Sequence, residues 1–167
     1  MSLLNLFSSK EEIPKVSDHL KEFLTDFSIE VMPRTAANIE SFEELLPKKT
    51  RVYIAHIEGV PIGEMVQTAK RISREGFNVM PHFPARIIKD KSALEEWINI
   101  YQGEAGINQA LLLAGGVDKP QGVFEDSMQL VETELFEKYN FKNLHFAGHP
   151  EGNKDIDNDG SNKNVDD

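Results

Sequence analysis

The sequence predicts an α/β fold in which parallel strands alternate with helices along the chain. Apolar runs of strand length recur every ~25 to 35 residues, which is the period of a strand, a loop, a helix and a second loop. Amphipathic segments with helix-start signals lie between these runs. A βα barrel and a doubly wound sheet share this repeat, so the pattern alone leaves the choice between them open.

The predicted first strand begins at Ser28 and ends at Pro33. Side chains alternate along a strand, so Glu30 faces opposite to Ile29 and Val31. In a parallel barrel, Glu30 would then be an acid near the mouth, where this architecture carries its chemistry. The alternative is an edge strand that leaves Glu30 in solvent.

The other elements follow from apolar spacing and from start and stop signals. A leading segment, residues 1–27, holds an amphipathic helix over 14–27 that we expect to cover the bottom of the sheet. The later predicted strands are 51–56, 77–83, 110–114 and 143–147. The later predicted helices are 39–46, Pro61 to Gly76, a capping box at Ser92-Ala93-Leu94-Glu95 to Gly103, and Asp126 through Tyr139. The fourth strand is wholly apolar, so we expect it to be buried on both faces.

Composition excludes several classes of function. The chain has 28 acidic and 18 basic residues and a net charge of −10, which repels phosphate backbones and anionic lipid. Nucleic acid and membrane surfaces are therefore not expected partners. The chain has no cysteine, which excludes disulfides and thiolate chemistry, and we expect no metal centre. Without a signal-peptide core or a membrane span in the sequence, we expect a cytoplasmic protein.

Polar or backbone-permissive residues follow each predicted strand, and loops after parallel strands open on one face of a sheet. These residues are Glu30, His56, Glu58, Pro81-His82, Gly115-Gly116-Val117-Asp118 and His149-Pro150. A single histidine in such a place is more often structural than catalytic, so the convergence of all five strand ends is the signal. Paired glycines permit close approach of a ligand to the backbone, although the sequence has no dinucleotide-binding or phosphate-loop motif.

An acidic segment at 155–166 suggests a different class of function. Its residues at positions 1, 3, 5, 6, 7 and 12 of a calcium loop are Asp155, Asp157, Asp159, Gly160, Ser161 and Asp166. Position 12 is Asp instead of the usual bidentate Glu, and no apolar-periodic helix directly precedes the loop. A calcium- or partner-binding module is therefore one alternative function, and a solvated acidic loop is the competing interpretation.

Four motifs, in this order and spacing, resemble those of the flavin-dependent methylenetetrahydrofolate reductase family. They are Ser28-Ile29-Glu30-Val31-Met32-Pro33, Pro81-His82-Phe83, Leu111-Leu112-Leu113-Ala114-Gly115-Gly116 and Ala147-Gly148-His149-Pro150-Glu151-Gly152. The resemblance runs from Phe27 to Asp167 and covers the first five of the family's eight units. It implies a (β/α)8 TIM barrel, present over 28–167 as an incomplete barrel of about five βα units that stops in the acidic loop of the fifth.

The resemblance also implies an activity. In this family the carboxylate at the position of Glu30 is the acid that helps open the methylene bridge when 5,10-methylenetetrahydrofolate is reduced to 5-methyltetrahydrofolate. The implied cofactor is FAD, the co-substrate is NAD(P)H and the substrate is a small folate, in one-carbon metabolism and methionine biosynthesis. The implied FAD contacts are Ala55, His56, His82, Ala114, Gly115, Gly116, His149 and Asp166. Asp118 is the implied substrate contact.

The chain departs from the family pattern at the fourth strand, which usually ends Arg-Gly-Asp. Ala114 and Gly116 replace the arginine and the aspartate, and Asp118 follows two residues later. A flavin-free barrel acting on folate or another C1 carrier is therefore a second alternative function. Because the sixth to eighth units are missing, we expect the chain to belong to a longer, homo-oligomeric protein and to be inactive alone. A natural half-barrel that dimerises is the alternative to truncation.

Overall fold

Five parallel strands form one sheet in sequential order, β1-β2-β3-β4-β5. The structure, a computed structural model, describes residues 17–148 and Lys154. The strands are β1 (Ser28–Val31), β2 (Arg51–Ile54), β3 (Asn78–Pro84), β4 (Gln109–Leu113) and β5 (Asn143–Phe146). The predicted parallel, sequential order is confirmed. Among the strands that the structure describes, β1 and β5 each have a single neighbour.

Besides a short 3-10 helix at Ala85–Ile87, six α-helices are present in the described residues, and most of them connect consecutive strands. They are α1 (Asp18–Phe23), α2 (Pro33–Ala36), α3 (Ile62–Arg74), α4 (Lys91–Ala105), α5 (Ser127–Glu132) and α6 (Leu135–Lys138). The two long helices, α3 and α4, pack against each other, and α3 also packs on β2 and β3. Their buried faces are Met65, Val66, Ala69 and Ile72 on α3, and Leu94, Ile98, Tyr101 and Ala105 on α4.

The two faces of the sheet differ in chemistry. The face toward the helices is apolar and largely buried, with Val31, Val52, Ile54, Val79, Phe83, Ala110 and Leu112 in the core. Full burial of one such large aliphatic or aromatic side chain contributes about 1.5–3 kcal/mol. Because side chains alternate along a strand, the residues between these point to the opposite face. That face carries the polar residues Glu30, Tyr53, His82 and His145.

A contact across the sheet shows that this polar face is concave. Tyr53 Oη on β2 lies 2.8 Å from His145 Nδ1 on β5. Neighbouring strands are about 4.8 Å apart, so β2 and β5 would be ~14 Å apart in a flat sheet. Curvature toward the polar face brings the two side chains together.

The leading helix is shorter and more exposed than the pattern predicted. Helix α1 covers 18–23 within the predicted 14–27 and buries none of its residues, and Phe23 is 80% exposed. Its N-cap is Ser17, whose hydroxyl accepts from the backbone N–H of Leu20. Leu24 and Phe27 border a cleft at the amino ends of the first three strands, so only the end of this segment reaches the bottom of the sheet.

Three of the predicted helix boundaries were wrong. The segment 39–46 forms turns, and the helix after β1 is α2, which begins at Pro33. Helix α4 is capped by Asp90 and continues to Ala105, where Gly106 ends it in a left-handed conformation with φ 67°. The helix predicted from Asp126 is divided into α5 and α6 by Glu134, whose φ is 60°.

The prediction that the fourth strand is buried on both faces was also wrong. Ala110 and Leu112 of β4 are fully buried against the helices, but Leu111 and Leu113 are only partly covered. The strand that is buried on both faces is β3, where every residue from Val79 to Pro84 is buried. The central strand gains cover on its concave side from side chains of the strands around it.

Candidate active site

Glu30 stands one residue before the carboxyl end of β1, on the concave face. The strand ladder continues as far as Val31, whose carbonyl accepts from the Ala55 N–H at 2.9 Å. Pro33 then begins α2, and Thr35 Oγ1 accepts from the Met32 N–H at 3.1 Å to cap it. The Glu30 side chain is 57% exposed, so solvent or a ligand can reach its carboxylate.

His82 reaches Glu30 from β3, across β2. His82 Nε2 lies 3.2 Å from Glu30 Oε2, which is ion-pair range, although the N–H direction is not aligned for a hydrogen bond. His82 is only 8% exposed. Burial lowers the pKa of His82, and the Glu30 carboxylate opposes part of that shift. The lowered pKa favours the neutral form of the His82 ring at pH 7.

Tyr53 and His145 form a second polar pair beside the first. The 2.8 Å contact between Tyr53 Oη and His145 Nδ1 has the length of a good hydrogen bond. Burial and the nearby Arg51 guanidinium lower the pKa of His145. A neutral imidazole with its proton on Nε2 accepts at Nδ1 from the Tyr53 hydroxyl, and the other tautomer donates from Nδ1 to the hydroxyl oxygen.

His56 packs against a helix and is not directed at Glu30. Its ring stacks on Trp97 of α4 with 4.8 Å between ring centroids and 20° between planes. Burial, with a smaller contribution from His82, lowers the pKa of His56 to about 4. The stack fixes His56 as a neutral packing residue at the carboxyl end of β2. Its predicted contact with FAD stays a prediction, and so does that of Ala55, which is buried.

The turn after β4 lies close to the end of β3. Ala114 accepts at its carbonyl from the Arg86 N–H at 2.9 Å. Gly115 has a φ of 96°, a backbone conformation that favours glycine, and a Cβ there would make a tight contact of 3.1 Å with Pro84 Cβ. Gly116 has open space around its Cα, and Asp118 is exposed farther along the loop. The backbone at Gly116 is thus open to a ligand, and the predicted contacts of Ala114, Gly115 and Gly116 with FAD stay predictions.

Arg86 ties the long loop after β4 to the end of β3. Its guanidinium donates to the carbonyls of Glu125 and Val117 at 2.9 and 3.4 Å. Gly122 packs directly on the Lys89 carbonyl, where a Cβ would not fit. Gln121 completes the attachment, because its side chain donates to Glu58 at 2.6 Å. Loops from β2, β3 and β4 are therefore held together at one end of the sheet.

Several sequence predictions lie outside the described residues, namely those for His149, Asp166 and the acidic segment 155–166. Within 17–148, no group of three His, Asp or Glu side chains is placed to hold a metal ion. None of the helices in this part of the chain has the length and apolar character needed to cross a membrane. No known protein-family model matches the chain.

Tyr53 and His145 were not predicted from the sequence as site residues. Each is a polar residue between two apolar neighbours in a strand, which is the same signal that singled out Glu30. The alternation assigns them to the concave face. Their contact depends on the curvature of the sheet, which no sequence pattern specified.

Proposed function

We propose that the protein is a flavin-dependent methylenetetrahydrofolate reductase with Glu30 as its acid. One observation carries the proposal: Glu30 and His82, predicted from separate motifs as the acid and as a cofactor contact, lie 3.2 Å apart on the concave face. Chemistry in parallel βα folds takes place at the carboxyl ends of the strands, and both residues are near those ends. In this proposal the sheet is one side of a (β/α)8 barrel. The strands that close the barrel would come from outside the described residues.

The described residues fit a planar, conjugated cofactor at this end of the sheet. His82 Nε2 is a buried polar atom with no aligned hydrogen bond among the residues described. A Cβ added at Gly116 would meet no atom within 4 Å, so a ring can approach the backbone there. His82 and the 114–116 turn would hold the flavin, which supplies the hydride for the methylene carbon when it is bound and reduced.

Glu30 supplies the proton in the proposed reaction. The bond between the methylene carbon and one folate nitrogen breaks, its electron pair stays on that nitrogen, and the Glu30 carboxyl proton is transferred there. The Glu30 side chain is 57% exposed, so a substrate can reach its carboxyl group. Neutral His82 lies beside the resulting carboxylate, and solvent, which reaches the exposed Glu30 side chain, returns the proton to it.

The cofactor and the substrate are tested in one experiment on the purified protein. We expect flavin absorbance bands, anaerobic bleaching of these bands by NADH or NADPH, and their return when 5,10-methylenetetrahydrofolate is added, with 5-methyltetrahydrofolate as product. Absence of flavin together with tight calcium binding would contradict the proposal in favour of a binding module. Folate binding without flavin would contradict it in favour of a flavin-free C1-carrier barrel.

A further inference from the structure

The concave face holds a polar pair, Tyr53 and His145, that the proposed reaction does not use. We propose that Tyr53, anchored by His145, is a positioning residue that holds the His82 ring in the orientation that places its Nε2 3.2 Å from the Glu30 carboxylate. This inference rests on the proposed function for its catalytic meaning. Its physical content, the dependence of His82 on the Tyr53 hydroxyl, can be measured without any reaction.

Tyr53 occupies the space directly beside the Glu30 and His82 pair. Tyr53 is paired in the sheet with Glu30 on β1 and with Met80 on β3. His82 comes two residues after Met80, so its side chain is the next one along β3 on the same face. The Tyr53 ring makes an edge contact with the His82 ring, with 6.4 Å between centroids and 63° between planes. Tyr53 therefore forms one wall of the space in which the His82 ring is held.

Packing has to orient His82, because hydrogen bonds in the described residues do not. Its Nε2 atom faces Glu30 without the alignment of a hydrogen bond. An imidazole held only by packing turns when a neighbouring wall moves, and its Nε2 then leaves the 3.2 Å contact with Glu30. Small displacements of this kind are costly in a proton-transfer site.

His145 keeps the Tyr53 ring in place. The Tyr53 hydroxyl and His145 Nδ1 form a hydrogen bond of 2.8 Å, and the two ring centroids are 6.1 Å apart. His145 is thus attached to Tyr53 from the far side of the concave face, three strands away from β2. The charged or titratable groups that face these rings are Arg51 for His145, and Glu30 and His56 for His82. Arg51 favours neutral His145, the form that accepts from the hydroxyl.

Three substitutions separate this positioning role from simple loss of packing. Tyr53→Phe keeps the ring and removes only the hydroxyl. His145→Leu removes the acceptor, whereas His145→Asn offers an amide oxygen near the position of Nδ1 and should restore the bond. The matched control is Tyr139→Phe, which removes a hydroxyl that bonds Glu95 at 2.7 Å on the helical side of the molecule.

The primary readout is the pKa of each histidine ring. It is measured in the full chain without ligands, from the NMR signals of the ring nitrogens and carbons as the pH is varied. We expect His145 to carry its proton on Nε2. In Tyr53→Phe and in His145→Leu we expect the pKa of His82 to rise by about half a unit, because a looser wall admits water to a buried ring. His145→Asn and Tyr139→Phe should leave the pKa of His82 unchanged. The rise in this pKa in the double variant Tyr53→Phe/His145→Leu should not exceed the rise in either single variant.

The catalytic consequence has a separate readout. In the flavin-loaded protein we expect Tyr53→Phe to slow reoxidation by the folate about tenfold and to shift its pH profile, with reduction by NAD(P)H unaffected. Unchanged His82 titration in both Tyr53→Phe and His145→Leu would overturn the positioning role, whatever the enzyme's activity. A changed titration in a protein without flavin or folate chemistry would leave the positioning intact and refute the proposed function instead.

Discussion

The four polar side chains of the concave face show how far residue-level reasoning extends. Glu30, Tyr53, His82 and His145 each stand between two apolar residues of a strand, and alternation alone assigns each one to the face away from the helices. The sequence therefore predicted the location of Glu30 and His82 at one end of the sheet. It could not predict which of the four touch, because the contacts at 3.2 and 2.8 Å arise from curvature over several strands.

His56 provides a pH-dependent test at the residue scale. Because its pKa is lowered to about 4 in the folded state, the unfolded chain, with a histidine pKa near 6.5, binds the proton more tightly. Its contribution to stability is therefore present above about pH 6.5 and is lost as the pH falls toward 4. After allowance for solvent screening of a partly exposed ring, we expect about 1–2 kcal/mol.

Denaturant unfolding of the native protein and of His56→Gln, at pH 7.5 and at pH 4.5, measures this contribution. The native protein should lose more free energy of unfolding between the two pH values than the variant does. His19, which is exposed on α1, offers the matched control, His19→Gln. An equal pH dependence in the native protein and His56→Gln would show that His56 is protonated without penalty in the folded state.

At the scale of elements, tertiary contacts determine the structure of a segment for which the sequence pattern predicted the wrong element. The segment after α2 was predicted as a helix from its apolar spacing, but side chains of α3 and the residue that caps it hold the segment in turns. The Arg71 guanidinium donates to the carbonyls of Ala36 and Ile39, and the Glu75 carboxylate accepts from the Phe42 N–H at 2.7 Å. These partners lie more than 30 residues away in sequence, so local spacing could not reveal them.

Helix α4 allows a direct test of which residue caps it. Asp90 Oδ1 accepts from the Ala93 N–H at 2.9 Å, whereas Ser92, the cap predicted from the sequence, lies inside the helix. We expect Asp90→Ala to lower the free energy of unfolding by about 1 kcal/mol and Ser92→Ala to change it by less than about 0.5 kcal/mol. Thermal or denaturant unfolding of the two variants measures the difference, and a larger loss in Ser92→Ala would refute this assignment.

At the scale of the whole molecule, the strand-helix repeat was sufficient to predict the parallel sheet and its sequential order. The strand-helix repeat does not show whether the concave face of the sheet is covered by other residues or open to solvent. The burial of β4 was therefore overestimated. Leu111 and Leu113 are apolar like the core residues of the same strand, yet they are only partly buried in the described structure. Leucines of one strand thus differ in burial because alternate side chains face the helices or the concave side.

Hydrogen exchange tests the state of the sheet edges. Strand β3 has neighbours on both sides, whereas β1 and β5 have one each among the described strands. We expect the amides of β3 to exchange most slowly and those of β1 and β5 to exchange on the order of tenfold faster or more, because an edge strand opens locally at lower free energy. Protection of β1 and β5 equal to that of β3 would contradict open edges and would indicate that other strands pair with both.

The most direct test of the account is the effect of Glu30→Gln on the two half-reactions of the flavin-loaded protein, measured by anaerobic stopped-flow absorbance. In the proposed reaction the acid acts only on the folate, so reduction of the flavin by NAD(P)H should keep its rate constant while reoxidation by 5,10-methylenetetrahydrofolate should slow by ~10² to 10⁴-fold. Glu64→Gln, the same change at an exposed position on α3, should leave both rates unchanged. A loss of less than about tenfold in reoxidation by Glu30→Gln, or an equal loss in both half-reactions, would contradict the assignment of Glu30 as the catalytic acid.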